Sequence, residues 1–269
     1  MIETKIAPDD LKRVATLRDI DHLGLVLEEI STPEQLMIFF TQYVAFNSVF
    51  AGGAARLVSD ITLQQDVFME SETLGVPRDC RIEIANSVFS AVIDDFHDRE
   101  HLCSHRLMAE QLLWSMGELL DMPAHSFSAA PFIAPITAEI VRGYGVRIGS
   151  ATAQDIFYSL GFHIGSEYLA DEEFNRIDGM IGEKFPDLKR RLQEEKKIAG
   201  RRYIPYRWIE IHKVVEEHHC DAALDAANAA LNNARVPWSL CESKTMTLEG
   251  FRGFSELQNS FMDEVCGFF

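Results

Sequence analysis

The sequence predicts an all-α protein. Apolar residues recur at helical spacing along the chain, whereas strand-like alternation is almost absent. Proline and glycine are sparse and fall at joints between the periodic runs. No internal repeat and no low-complexity linker divides the 269 residues, so residues 1–269 read as a single domain. About seven helices of roughly 12 to 28 residues, joined by short connections, predict a compact bundle.

Residues 7–30 suggest one or two short helices. Ser31, Thr32, Pro33 and Glu34 then supply a cap, a first-turn proline and an early acid. The helix they start is expected to run through Leu36, Phe39, Phe40, Tyr43, Val44, Phe46, Val49 and Phe50 to about Asp60. Its aromatic centre is expected in the core. Phe39, Tyr43 and Phe46, with Phe157 and Phe162, serve equally as walls of a substrate pocket. After Gly75-Val76-Pro77 a long helical stretch is expected from about Arg78 to Leu120, bent or broken once near its middle. Ala124–Pro131 reads as a loop, and a helix follows over about Ala134–Tyr144. Ser150 or Thr152 caps the next helix, which runs to about Phe174. Another lies within Asn175–Lys197, ending in the solvated charge run Lys189–Lys197. Ile198–Tyr206 reads as a basic loop. An alanine-rich helix is expected from there to about Asn233, stopped by Pro237, and Thr247–Phe269 closes the chain.

Hydrophobic residues make up 47% of the chain, enough for a sizeable core. The net charge of −17, from 25 basic and 42 acidic residues, disfavours nucleic acid and anionic membrane as partners. Five cysteines, an odd number with no Cys-x2-Cys pair, point to free thiols in a reducing compartment. No apolar run reaches the ~18 residues of a membrane span, and the polar N-terminus is unlike a signal peptide. The expected location is the cytoplasm.

Three stretches carry candidate chemistry. Within Tyr206–Leu231, His212, Glu216 and His219 form His-x3-Glu-x2-His. Steps of four and seven residues place them on one helical stripe roughly 60° wide. Two imidazoles and a carboxylate form a ligand set suited to iron, manganese or zinc. Glu217 and His218 fall off that stripe and are expected to face solvent. Within the long helical stretch, Asp94, Asp98, His101 and His105 are separated by four, three and four residues, again one stripe. In the next helix, Glu167 stands among Leu160, Phe162, Ile164, Tyr168 and Leu169. A carboxylate there is costly unless it is paired or binds a cation. His163 shares its face as a supporting partner. Asp171, Glu172 and Glu173 are expected to be solvated.

Carboxylates and imidazoles on facing helices are how helical proteins assemble dinuclear metal sites. The chain does not have the pair of Glu-x2-His motifs of the ferritin-like version. It also lacks the His-Glu-x2-His of zincins, phosphate-binding glycine loops and the Gly-x-Ser-x-Gly nucleophile elbow.

These residues, in this order, resemble the heme-oxygenase-like diiron oxidases and oxygenases. That family shares an all-α seven-helix fold with thiaminase-II-like (TenA) and PqqC-like proteins. His212, Glu216 and His219 match its His-x3-Asp/Glu-x2-His motif, and Glu167 matches its lone glutamate. His105, twelve residues before Gly117, matches its core-helix histidine. Asp98, seven residues before His105, stands where the family commonly has Glu. This departure keeps Asp94, Glu100 and His101 as alternatives for completing the first site. The connection from Glu167 to His212 is also longer than usual.

The resemblance implies metal ligation by Asp98, His105, Glu167, His212, Glu216 and His219. Glu216 would be the bridging or switching carboxylate at the catalytic centre. It implies two Fe(II) ions per chain, with manganese also suited to the ligands, and O2 as co-substrate. The organic substrate would be small and carboxylate-bearing or amino-acid-like, undergoing N-oxygenation, carbon–carbon cleavage or decarboxylation. A homodimer is a further expectation from the fold family. Arg56, Arg142 and Arg147 are positional candidates for a substrate carboxylate, with a surface role the favoured reading of each. Two rival readings stand beside this one. The first is a metal-free thiaminase-II-like hydrolase using Cys103 or Cys220, and the second is a non-catalytic binding protein of the same fold.

Overall fold

Twelve helices carry the fold among the residues that the computed structural model describes, namely 5–15, 17–64, 66–68, 71–73, 76–98, 103–122, 128–145, 151–198 and 201–269. Within these, the backbone alone is described at 17–21, 71–73, 76–78, 171, 198, 216 and 217. The helices are α1 (Pro8–Val14), α2 (Leu17–Glu29), α3 (Pro33–Asn47), α4 (Phe50–Leu63), α5 (Cys80–Ser90) and α6 (Ile93–Phe96). They continue with α7 (His105–Leu119), α8 (Ile133–Gly143), α9 (Ala153–Lys184), α10 (Pro186–Leu192), α11 (Arg207–Asn233) and α12 (Leu240–Cys266). Two short antiparallel hairpins accompany them: β1 (Ser71–Thr73) with β2 (Val76–Arg78), and β3 (Lys196–Ile198) with β4 (Arg201–Tyr203).

The expected all-α class holds, and the helix count rises because long helices are interrupted and short ones added. The start of α3 is as expected: Thr32 Oγ1 accepts from the Gln35 N–H at 3.2 Å, and Gln35 returns a bond to the Thr32 N–H. The helix does not continue to Asp60. Ser48 Oγ turns back onto the Ala45 carbonyl at 2.6 Å, competing with the helical ladder, and α4 restarts at Phe50. The combined stretch Pro33–Leu63 is apolar and long enough by composition to cross a membrane. Here Leu36, Phe39, Phe40 and Phe46 spend that apolarity on the bundle core.

The helical stretch expected from about Arg78 to Leu120, bent or broken once near its middle, holds three helices, α5, α6 and α7. His97 ends α6 in an extended conformation. The Asp98 N–H donates to the Cys103 carbonyl at 2.8 Å, closing a loop. Ser104 Oγ then caps α7 by accepting from the Leu107 N–H. Conversely, the two helices expected across 153–197 are largely one, because α9 runs unbroken for 32 residues. Thr152 caps it in a reciprocal bond pair with Asp155. The expected basic loop 198–206 contains β4, which pairs with β3, and the hairpin is pinned to α7 by Lys196 and Glu118 at 3.1 Å.

Helix α9 is the spine. Its far end closes α2: Lys184 Nζ donates to the carbonyls of Leu27, Glu28 and Ile30 at 2.7 to 3.0 Å, satisfying acceptors that the α2 C-terminus leaves over. Asp178 binds α9 to α10 and α11 by accepting from Lys189, Lys213 and the Tyr206 hydroxyl at 2.6 to 2.8 Å. Burial opposes the charge on Asp178, and these three donors outweigh it, holding the carboxyl below its ordinary range. Against α12 the approach of α9 is closer still. A β-carbon added at Gly161 would overlap the Thr247 carbonyl, and one at Gly250 would overlap the Tyr158 carbonyl.

That reciprocal backbone contact has no room to relax. Gly161→Ala or Gly250→Ala is expected to cost about 1–3 kcal/mol, read as a lower denaturant midpoint. Gly179→Ala, also in α9 but with nothing within 4 Å of the added carbon, should instead stabilise by about 0.5–1 kcal/mol.

Candidate metal centre

Helices α7, α9 and α11 and the end of α6 converge on one cavity of about 90 Å³, whose polar wall includes Asp95, His105, Glu167, His212 and His219. From α11, His212 faces the Trp208 carbonyl with Nδ1 at 2.7 Å. A carbonyl only accepts, so Nδ1 carries the hydrogen and the ring's lone pair sits on Nε2. The ring stacks on Phe174 with centroids 4.4 Å apart and meets His105 edge-on at 4.5 Å. Burial, aided by His105, lowers its pKa to about 3, so the imidazole is neutral across ordinary pH.

His105 opens α7. Its Nδ1 lies 3.1 Å from Asp95 Oδ1 and its Nε2 lies 3.6 Å from Asp98 Oδ2. That Nε2 is buried and has no hydrogen-bond partner. Burial works against charge on Asp95, but the bond from His105 and the nearby rings of His212 and His219 outweigh it and lower its pKa. One ligating atom from each of Asp95, His105 and His212 lies within 4.8 Å of the others.

Glu167 of α9 forms the neighbouring group. Its Oε2 is 3.7 Å from His219 Nδ1, and its Oε1 is 3.4 Å from His163 Nδ1. Ser166 Oγ reaches Oε1 at 3.1 Å, and the Tyr144 hydroxyl touches both Ser166 Oγ and His163 Nδ1. Burial first, with His219 adding, lowers His163 to about 4, so it supports Glu167 as a neutral ring.

The residues fit a cation: imidazole nitrogens and carboxylate oxygens from four helices face one cavity, and the buried His105 Nε2 makes no hydrogen bond. Of the residues expected at a metal site, His105, Glu167, His212 and His219 line this cavity. Asp98 stands behind His105, 7% exposed. Glu216 lies in α11 between His212 and His219, with its side chain outside the described residues. Glu100 and His101 also lie outside the described residues. Asp94 is half-buried and belongs to no described cluster of ligands. His218 is exposed, as expected, and the Glu217 side chain is not among those described.

Two acids that line the cavity escape the periodicity argument. Asp95 is ten residues before His105, about 280° round a continuous helix and off the stripe. The break after Phe96 cancels that phase and turns Asp95 onto His105, so Asp94, Asp98 and His105 do not share one helical face. Glu173, expected to be solvated, is 7% exposed. It continues the inward steps Ser166, Ala170, Glu173, Ile177 on α9, a phase hidden by its acidic neighbours Asp171 and Glu172. Tyr43 donates to its Oε2 at 2.5 Å, and Gln258 Nε2 contacts its Oε1. Burial raises its carboxyl to about 7 in spite of the Tyr43 bond.

Arg56 and Arg142 do not line the cavity. Arg56 pairs with Asp60 at 2.8 Å, Arg142 pairs with Glu139 on the surface, and Arg147 lies outside the described residues. Phe46 lines the cavity, whereas Phe39, Tyr43, Phe157 and Phe162 are core. At Cys103, burial and the Asp98 charge raise the thiol, the reverse of what activates a nucleophile.

No protein-family model matches the sequence, and no curated protein matches it. Among solved structures the chain is similar to a CADD-like protein of unknown function from Nostoc punctiforme. The two are 12% identical with a TM-score of 0.60, over 96% of this chain and 94% of that one. At this identity the likeness is one of fold, and it sets the chain among all-α bundles of the heme-oxygenase-like kind.

The raised carboxyl of Glu173 has a measurable consequence. Its folded value of about 7 exceeds the ordinary 4.5, so the folded state holds this proton more tightly. The stability it contributes is complete below the unfolded value and is lost as pH rises through the folded one. Relative to Glu173→Gln, the unaltered protein should lose on the order of 3 kcal/mol between about pH 5 and pH 8, measured from urea midpoints. An unchanged difference between the two proteins would show that the carboxyl is not raised.

Proposed function

We propose that this chain is a metal-dependent oxidoreductase of the heme-oxygenase-like diiron type, acting with O2 on a small organic substrate. The observation that carries this reading is the group formed by half-buried Asp95 with buried His105 and His212, with ligating atoms within 4.8 Å and one ring nitrogen lacking a hydrogen bond. Glu167 and His219 offer a second set beside it. Asp98 and Glu216 are the acids we assign to completing the two sets. Mixed imidazole and carboxylate ligation suits iron, with manganese next. Two ferrous ions, when bound, supply the electrons that turn O2 into an oxidant.

The chain's own residues prepare that site. The Trp208 carbonyl fixes the His212 tautomer, and Asp95 orients His105. Ser166 and His163 hold Glu167 from behind, so the carboxylate is placed before any cation arrives. Phe46, Phe50, Phe174, Trp208 and Phe254 line the rest of the cavity and keep bulk water from the reacting groups.

Anaerobic titration with ferrous iron tests the reading. About two ions per chain are expected, with consumption of O2 on exposure to air. His212→Ala and Asp95→Asn should each remove at least half of the bound iron, and Asp94→Asn should remove none. Absence of stoichiometric iron from the unaltered protein would sink the proposal. Equal losses at Asp94 and Asp95 would return the first-site acid to the unbroken-helix reading.

A further inference from the structure

Resting on that reading of the cavity, we propose that Glu173 and Gln258 form a recognition site for a hydrogen-bond-donating substrate group, and that the substrate is a small amine with an apolar body. Both residues line the same cavity as the imidazole and carboxylate cluster, and both are 7% exposed. Gln258 spends its Nε2 on Glu173 Oε1, while its Oε1 is buried without a partner. A buried acceptor left empty is costly, and one at a cavity wall is satisfied by a ligand that donates.

Tyr43 and Gln258 Nε2 both turn a donor onto Glu173, so the acceptor left open at this end is Gln258 Oε1, held beside the Glu173 carboxyl. A hydroxyl has one hydrogen to give, whereas an ammonium has three and carries the charge that a buried carboxylate lacks. Tyr43 makes this end rigid. Its ring stacks on Phe39 at 5.3 Å, it is buried, and its hydroxyl pins Glu173 Oε2. An acceptor held in place before binding wastes little of the ligand's interaction on ordering.

Charge around the cavity favours the same ligand. Its acidic lining is Asp95, Glu167 and Glu173, and Arg106 is the one cation that lines it among the described residues. Arg106 Nε donates to Glu110 Oε1 at 2.7 Å, and both side chains are half exposed to water. A substrate carboxylate therefore meets a solvated, neutralised arginine at the rim, whereas an amine meets a buried acid. Along α9, Glu173 is six residues beyond Glu167, about 9 Å of helix, and its neighbour Phe174 stacks on His212. The donor-reading end and the metal-ligating end are thus separated by the aromatic wall, which is suited to an unbranched or aromatic body.

Isothermal titration with hexylamine, hexan-1-ol and hexanoate tests this on metal-free and cobalt(II)-loaded protein. Hexylamine is expected to bind at least tenfold more tightly than hexanoate in both forms, with the alcohol between them. Glu173→Gln and Gln258→Met should each reduce that preference at least fivefold and leave cobalt loading unchanged. Gln258→Met keeps the test decisive if Glu173→Gln does not fold. Hexanoate binding as tightly as hexylamine would overturn the inference and hand recognition to Arg106. So would a preference that survives both substitutions, as direct ligation of cobalt by the amine would produce, or no binding of any probe. If cobalt fails to load while the amine preference stands in the metal-free protein, the metal reading fails alone.

Discussion

Burying carboxylates and imidazoles in one cavity is the constraint on which the rest of this molecule depends. An ionised group in a low-dielectric core is costly unless a counter-charge and hydrogen bonds surround it. The chain meets that cost by pairing. Asp95 takes the hydrogen bond of His105, Glu167 takes Ser166 and His163, and His212 and His163 are kept neutral by burial. His105 Nε2 is buried with no hydrogen bond, only the Asp98 carboxylate at 3.6 Å, and His105 is part of the group that best fits a cation.

Long, rigid helices make this arrangement possible. Helices α9, α11 and α12 span 32, 27 and 27 residues, so their side chains are set by packing along the length rather than by loops. The glycine contact between α9 and α12 and the Asp178 cluster at the start of α11 fix the spine against its neighbours. The third contributor is irregular. Asp95 and Asp98 come from a segment where the helix stops and restarts, and departures from regular geometry concentrate at functional sites.

What was legible in the sequence follows from that division. On α11, His212 and His219 share a face because nothing interrupts the helix between them, so counting residues was enough. Glu167 stood out because its neighbours are apolar, and His105 because of its distance from Gly117. The all-α class followed from periodicity, and the heme-oxygenase-like bundle from the order of these motifs. Periodicity failed where its premise failed. It cannot carry phase from the end of α6 to the start of α7, which hid Asp95, and the acidic neighbours of Glu173 masked its inward turn. The β3–β4 hairpin was equally hidden, since two three-residue strands of basic residues have no hydrophobic alternation to reveal them.

Anomalous diffraction at the iron edge, from crystals of the anaerobically iron-loaded protein, tests the central claim most directly. The account predicts two peaks inside the α7–α9–α11 cavity, one against Asp95, His105 and His212 and the other against Glu167 and His219. Iron found only at surface histidines such as His97 or His218, with no peak in that cavity, would contradict it.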